Sequence, residues 1–216
     1  AAGVDGVGLV SPAFNSETDK YTIDSTAIFG EIYYELTDTL KLTLGARYTE
    51  DEKDLKDRAP LATGTPQVIG ANLPQDTPYN KQNDKWEETT GRVVLDWAFS
   101  DDALAFASYS RGYKGGGFNP PFNAAEFPDQ ATTFEPEFVD AFEIGLKSQL
   151  LDNTLQANLT AFFYDYSDMQ ISKIINRTSF NENTDAEIMG AEAEFVWAPD
   201  ANWLFNANFS YVHSEV

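Results

Sequence analysis

Apolar and polar residues alternate along eight stretches of this chain. The clearest sets Leu40, Leu42, Leu44, Ala46 and Tyr48 against Lys41, Thr43, Gly45, Arg47 and Thr49. A period of two marks a β-strand with two different faces. Here the polar face carries the charges and the apolar face is topped with aromatics. That arrangement predicts a transmembrane β-barrel, with apolar side chains toward lipid and polar ones toward the lumen. A soluble sandwich would instead bury its apolar face in a core.

The pattern places strands at about 25–36, 40–52, 85–99, 103–114, 137–150, 154–170, 185–198 and 202–214. Turns rich in Asp and Asn follow the first, third, fifth and seventh: Thr37-Asp38-Thr39, Ser100-Asp101-Asp102, Leu151-Asp152-Asn153 and Pro199-Asp200-Ala201. Such residues close tight hairpins. Long polar loops are expected near 53–84, 115–136 and 176–184, with 1–24 as a further loop. Outer-membrane barrels have short periplasmic turns and long extracellular loops, which fixes the orientation. Tyr34, Trp97, Phe99, Trp197, Trp203 and Phe205 lie near the short turns and would form a periplasmic girdle. The first strand then starts outside the cell and the eighth ends there. The chain is therefore expected to be an internal section of a larger barrel, with those two strands unpaired to each other.

Facing follows from the alternation. Ile32, Leu42, Leu95, Ile144, Leu159 and Phe195 should meet lipid. Glu31, Arg47, Arg92, Glu143, Lys147, Glu192 and Glu194 should meet the lumen, because a charge on the lipid side costs about 2–4 kcal/mol near the midplane. Gly45, Gly91 and Gly145 interrupt strands, where glycine weakens pairing unless it permits a bend or a close approach.

Charge narrows the function. Lys and Arg total 14 against 35 Asp and Glu, a net charge of -21. Nucleic-acid binding wants a basic face, and so does a polybasic membrane-surface module. With 14% aromatic residues the chain is not of disordered composition. Cys is absent, so no disulfide or thiol chemistry arises. His213 is the single histidine and builds no metal site. Glu50, Asp51, Glu52, Asp54 and Asp57 alternate with Lys53, Lys56 and Arg58 and lack the spacing of a calcium loop. Glu192 and Glu194 point the same way from one strand, which suits a lumen network. No nucleophile motif accompanies them, and no enzyme is expected.

Tyr113-Lys114-Gly115-Gly116-Gly117-Phe118 is followed by Asn119-Pro120-Pro121. The prolines forbid the helix that a phosphate loop requires. Arg111, Tyr113, Lys114 and Phe118 are the ligand-contact candidates at the extracellular rim; the alternative is a solvated hairpin loop.

Four stretches carry a family resemblance: STAIFGEIYYELTDTLKLTLGARYTEDEK, ALAFASYSRGYKGGGFN, FEPEFVDAFEIGLKSQLLDNTLQANLTAFFYDYSDMQI and MGAEAEFVWAP. In this order, and in phase with the hairpins, they resemble TonB-dependent outer-membrane receptors. The resemblance implies a Gram-negative outer membrane and a plugged barrel of about 22 strands. It implies uptake of a scarce metal chelate, mostly a ferric siderophore, with cobalamin, haem or glycans in some branches. It brings no cofactor. The implied partners are the chelate, the protein's own plug domain, the TonB complex and membrane lipid. Neither plug nor TonB-contacting segment is legible in this sequence. A passive porin-like barrel and a soluble β-sandwich binding module are the rival readings.

Overall fold

The computed structural model describes residues 17–58, 78–122, 127–175 and 178–216, and contains no helix among them. Its strands are β1 (Glu17–Thr37), β2 (Leu40–Arg58), β3 (Asn80–Ser100), β4 (Ala103–Lys114), β5 (Gly117–Phe118), β6 (Thr133–Phe134), β7 (Glu137–Leu150), β8 (Leu155–Ile175), β9 (Thr178–Asp200) and β10 (Trp203–Glu215). Eight of them form one sheet in the order β1-β2-β3-β4-β7-β8-β9-β10, and β5 pairs with β6 apart from it. Every pairing is antiparallel. β1 and β10 are the two edges and do not pair with each other, so the sheet is open.

The register sorts the side chains as the alternation predicts. One row runs Ile32, Leu44, Val93, Tyr109, Phe142, Phe163, Met189 across seven strands. A neighbouring row of the opposite parity runs Glu31, Gly45, Arg92, Ser110, Ala141, Tyr164. Ile32, Leu42, Leu95, Ile144, Leu159 and Phe195 share the apolar face. That face meets no second layer: Ile32 is 66% and Ile144 63% exposed. The buried hydrophobic residues among those described are Phe127, Ala157, Phe180 and Ala186, too few for a sandwich core. Near the tight turns, Trp97 lies 5.5 Å from Phe99 and Trp203 stacks on Phe205 at 5.8 Å.

In β4 the larger apolar residues take the polar face. Ala105 pairs with Trp97 and Leu146 on the apolar side, which sends Leu104 and Phe106 the other way. Phe106 lies over Gly145, where a Cβ would stand 2.4 Å from the ring. Phe162 covers Gly190 in the same manner, at 2.5 Å. Glycine is needed at both positions because an aromatic ring and a backbone carbonyl of neighbouring strands, Leu159 O at 2.7 Å and Tyr211 O at 2.4 Å, occupy the space of a side chain.

The strands overrun the expected loops. Residues 17–24 of the loop expected over 1–24 belong to β1, and 1–16 lie outside the described residues. β2 continues to Arg58 and β3 begins at Asn80, leaving 59–77 of the 53–84 loop outside the described residues. β9 begins at Thr178, so 176–184 is mostly strand. The reason is physical. Beyond the apolar band both faces of a hairpin are polar, and the two-residue period disappears although the ladder does not. Cross-strand ion pairs hold these extensions instead: Lys20–Asp54 at 3.3 Å, Arg58–Glu17 at 2.6 Å and Lys173–Glu182 at 3.4 Å. The expected 115–136 loop contains the small β5–β6 pair.

Candidate functional site

The polar face holds all seven charged residues assigned to it, and their partners are local. Glu31 and Arg92 stand on either side of Gly45 in one row. With no side chain between them, the Arg92 Nε donates to Glu31 Oε1 at 2.6 Å. A Cβ on Gly45 would lie 3.2 Å from both. The Tyr33 hydroxyl also donates to Glu31. Arg47 donates to Thr49 Oγ1 at 2.9 Å and lies 5.6 Å from the Phe29 ring. Lys147 sits 5.4 Å from the Phe106 ring.

The three remaining carboxylates accept from neutral donors. Glu143 receives the Tyr164 hydroxyl at 2.7 Å, Glu192 the Ser210 hydroxyl at 3.3 Å and Glu194 the Asn158 amide at 3.1 Å. Glu31 and Arg92 are thus the one ion pair within the expected set. No group of three or more His, Asp or Glu among the described residues is arranged for a metal ion.

The four rim candidates do not form one cluster. Arg111 is on the parity of the apolar face, one step beyond the Tyr109–Phe142 pair. Its guanidinium donates to Asp140 at 2.6 Å, and the Tyr109 hydroxyl donates to the other Asp140 oxygen at 2.6 Å. It follows Ala105, Ala107 and Tyr109 on that face, near the outer end of β4. Lys114 is exposed and lies 3.5 Å from Glu137. The Tyr113 hydroxyl is buried. Burial and then the nearby Asp51 push that phenol well above its usual range. Phe118 packs against Trp86 at 6.3 Å.

A second arrangement surrounds Phe118. β4 and β7 end together at the Lys114–Glu137 pair, while β3 and β8 run on past them. The sheet therefore has a notch between two taller hairpins, β2–β3 and β8–β9. Gly115–Phe122 and Phe127–Glu135 occupy it. On one side Lys53 Nζ donates to Gly115 O at 3.3 Å and to Gly116 O, and lies 5.3 Å from the Trp86 ring. Burial pulls the pKa of that ammonium down, opposed by Asp51. The Gln82 amide donates to Thr132 O at 3.3 Å.

On the other side Gln170 Nε2 donates to Gly115 O and Glu135 O, both at 3.1 Å. Asn183 accepts from the Glu135 amide at 2.8 Å and donates back to Glu135 O at 3.0 Å. Phe180 is fully buried against Phe122 and Phe127, at 5.2 and 5.1 Å.

Asn119 is the centre of this packing and is 2% exposed. Its amide donates to Ala131 O at 3.0 Å and to Asn181 O at 2.9 Å, and its oxygen accepts the Asn181 N–H at 2.7 Å. The side-chain amide thereby copies a strand partner for β9. The glycines are a steric requirement: a Cβ on Gly116 would meet Phe134 O at 2.6 Å, and one on Gly117 the Phe134 ring at 2.5 Å. Sequence reasoning placed Tyr113 to Phe118 at a rim and missed Lys53, Trp86, Asn119, Gln170 and Phe180. The available signal was the glycine run itself, read as allowing close approach to other backbone.

Comparison with known proteins sets this geometry in context. A family model for the TonB dependent receptor-like β-barrel matches residues 2–216. The pesticin receptor of Yersinia pestis is 25% identical over 202 residues, which are 93% of this chain and 27% of that protein. The ferric yersiniabactin uptake receptor FyuA of Yersinia pestis superposes with a TM-score of 0.71 at 19% identity, over 90% of this chain and 27% of that one. The siderophore receptor PiuA of Acinetobacter baumannii gives 0.65 at 18% identity, over 90% and 26%. The chain thus spans about a quarter of the length of these relatives. Two faces, next-neighbour hairpins and a family match along nearly the whole sequence agree: this chain belongs to the TonB-dependent receptor family, as a section of its β-barrel.

Proposed function

We propose that this chain is part of the barrel wall of an outer-membrane receptor that takes up a metal chelate, with a ferric siderophore as the ligand. The observation that carries the reading is the two-faced sheet: an exposed apolar face and an opposite face that carries the charges, in a chain matched along its length by the receptor family. The apolar face is the lipid contact. The ferric yersiniabactin uptake receptor FyuA and the siderophore receptor PiuA support the class of ligand by their names.

Uptake of this kind involves no covalent step by these residues. The chelate enters from the top of the barrel, where Tyr113, Lys114 and Phe118 lie near the rim. The protein's plug domain packs on the polar face. Glu143, Glu192 and Glu194, satisfied here by neutral donors alone, have lone pairs left for donors on that plug. TonB then moves the plug and opens the lumen.

The test uses the full-length receptor in a Gram-negative host lacking its own siderophore receptors. Radiolabelled ferric yersiniabactin, a ferric catecholate and free copper are offered with and without TonB. TonB-dependent accumulation of an iron chelate is the expected result. Accumulation that survives loss of TonB would favour a passive porin-like barrel.

A further inference from the structure

We infer that the segment occupying the notch, Gly115–Phe122 with Phe127–Glu135, is a fixed part of the barrel wall pinned by Asn119, and that it does not move when a chelate is loaded. Loops at a receptor mouth are ordinarily solvated, and a closing loop needs few contacts to break. This segment has the opposite character. Its two ends are held by side chains from both flanking hairpins: Lys53 and Gln82 from β2–β3, Gln170 and Asn183 from β8–β9.

Its middle contains the nearly buried Asn119 and packs Phe122 and Phe127 against the fully buried Phe180 of β9. Buried amides of this kind are costly to release, since each polar group would have to be satisfied again. Asn119 also ties together three places: Ala131 on the returning arm, the segment's own outgoing arm and the Asn181 backbone of β9. The segment thus closes the lateral opening that the short β4 and β7 leave between β3 and β8. A loaded chelate then has no side exit at this point of the wall.

The idea depends on the uptake reading for what passes through the barrel, but the rigidity of the segment can be read without any chelate. Hydrogen exchange on the unloaded full-length receptor in outer-membrane vesicles is the first measurement. Amides of 117–119 and 132–134 are expected to exchange as slowly as those of β4. Exchange at the rate of an open loop would overturn the inference. In Asn119→Ala, exchange at Asn181 and at 117–119 should be about tenfold faster; unchanged exchange would remove Asn119 as the pin.

The second measurement joins Gln82→Cys to Thr132→Cys with a short, reductant-cleavable bis-methanethiosulfonate linker, in a full-length receptor freed of any other Cys; this chain contributes none. Uptake of radiolabelled ferric yersiniabactin should be the same with the linker intact and cleaved. Uptake that returns only on cleavage would show a moving segment and overturn the inference. If neither form transports, the uptake reading fails for that chelate, and the exchange data still decide the wall.

Discussion

Gly45 is an empty position that makes an ion pair possible. The three-strand row Glu31, Gly45, Arg92 works because the middle strand contributes no side chain. Gly45→Val would block the Arg92–Glu31 contact and crowd both neighbours. A loss of about 1–3 kcal/mol is expected from such overpacking, checked by chemical unfolding of the full barrel. Gly145 makes a sharper case, since its missing Cβ is replaced by the Phe106 ring. Gly145→Ala should be destabilising alone and less so in a Phe106→Ala background, a non-additivity that a double-mutant cycle measures. Strict additivity would show that the ring does not fill the site. Facing is tested at Leu42: Leu42→Arg should cost about 2–4 kcal/mol of insertion free energy at the midplane, whereas Lys41→Arg on the polar face should insert normally.

Asp57 gives a residue with the opposite electrostatic sign from its neighbours. Burial raises its pKa, partly offset by the Asn80 amide. A carboxyl whose folded pKa is raised is a cost to the folded state at neutral pH. That cost falls away as pH drops through the raised value toward the unfolded one. Asp57→Asn should therefore stabilise the receptor at neutral pH, with a gain that shrinks on acidification. A constant gain across the acidic range would contradict the assignment.

Among the elements, the hairpin extensions show where sequence reading succeeds and where it stops. All eight long strands were legible wherever one face is apolar and the other polar. Their outer ends were not, because Glu17 to Asp24 and Thr178 to Thr184 have no apolar face to give a period. There the information sits in pairs such as Lys20 with Asp54, which only a known register aligns. The wall segment was illegible for a related reason: Asn119 and Phe180 are far apart in sequence and meet only after β4 and β7 have ended. The facing of the charged residues was readable, but their pairing was not.

The extensions also make a prediction. Glu17 is held below its usual pKa by the Tyr79 hydroxyl and Arg58, and Asp54 by Asn83 and Lys20. Such carboxylates contribute stability above their unfolded pKa that is lost as pH falls through the lowered values. Hydrogen exchange at 17–24 and 52–58, corrected for intrinsic rate, should quicken on acidification and on adding salt. Exchange indifferent to both would mean that the ladder alone holds these tips.

At the scale of the molecule, the open sheet sets what the 216-residue chain can do alone. β1 and β10 each present a full strand edge. Within hydrocarbon each unpaired backbone group costs several kcal/mol. Produced by itself in detergent, the chain should lack the compact, heat-modifiable electrophoretic form of a closed barrel. A compact form with protected amides in both β1 and β10 would show that the edges can meet.

Every long strand here bonds only to the long strands before and after it in the chain. A wall of that kind is a strip knitted row upon row. A whole hairpin can be added to or removed from such a strip, and no surviving strand need change a partner it keeps elsewhere. The circumference of the pore is then free to drift over evolutionary time in steps of two strands, while the in-and-out code of each remaining strand stays intact.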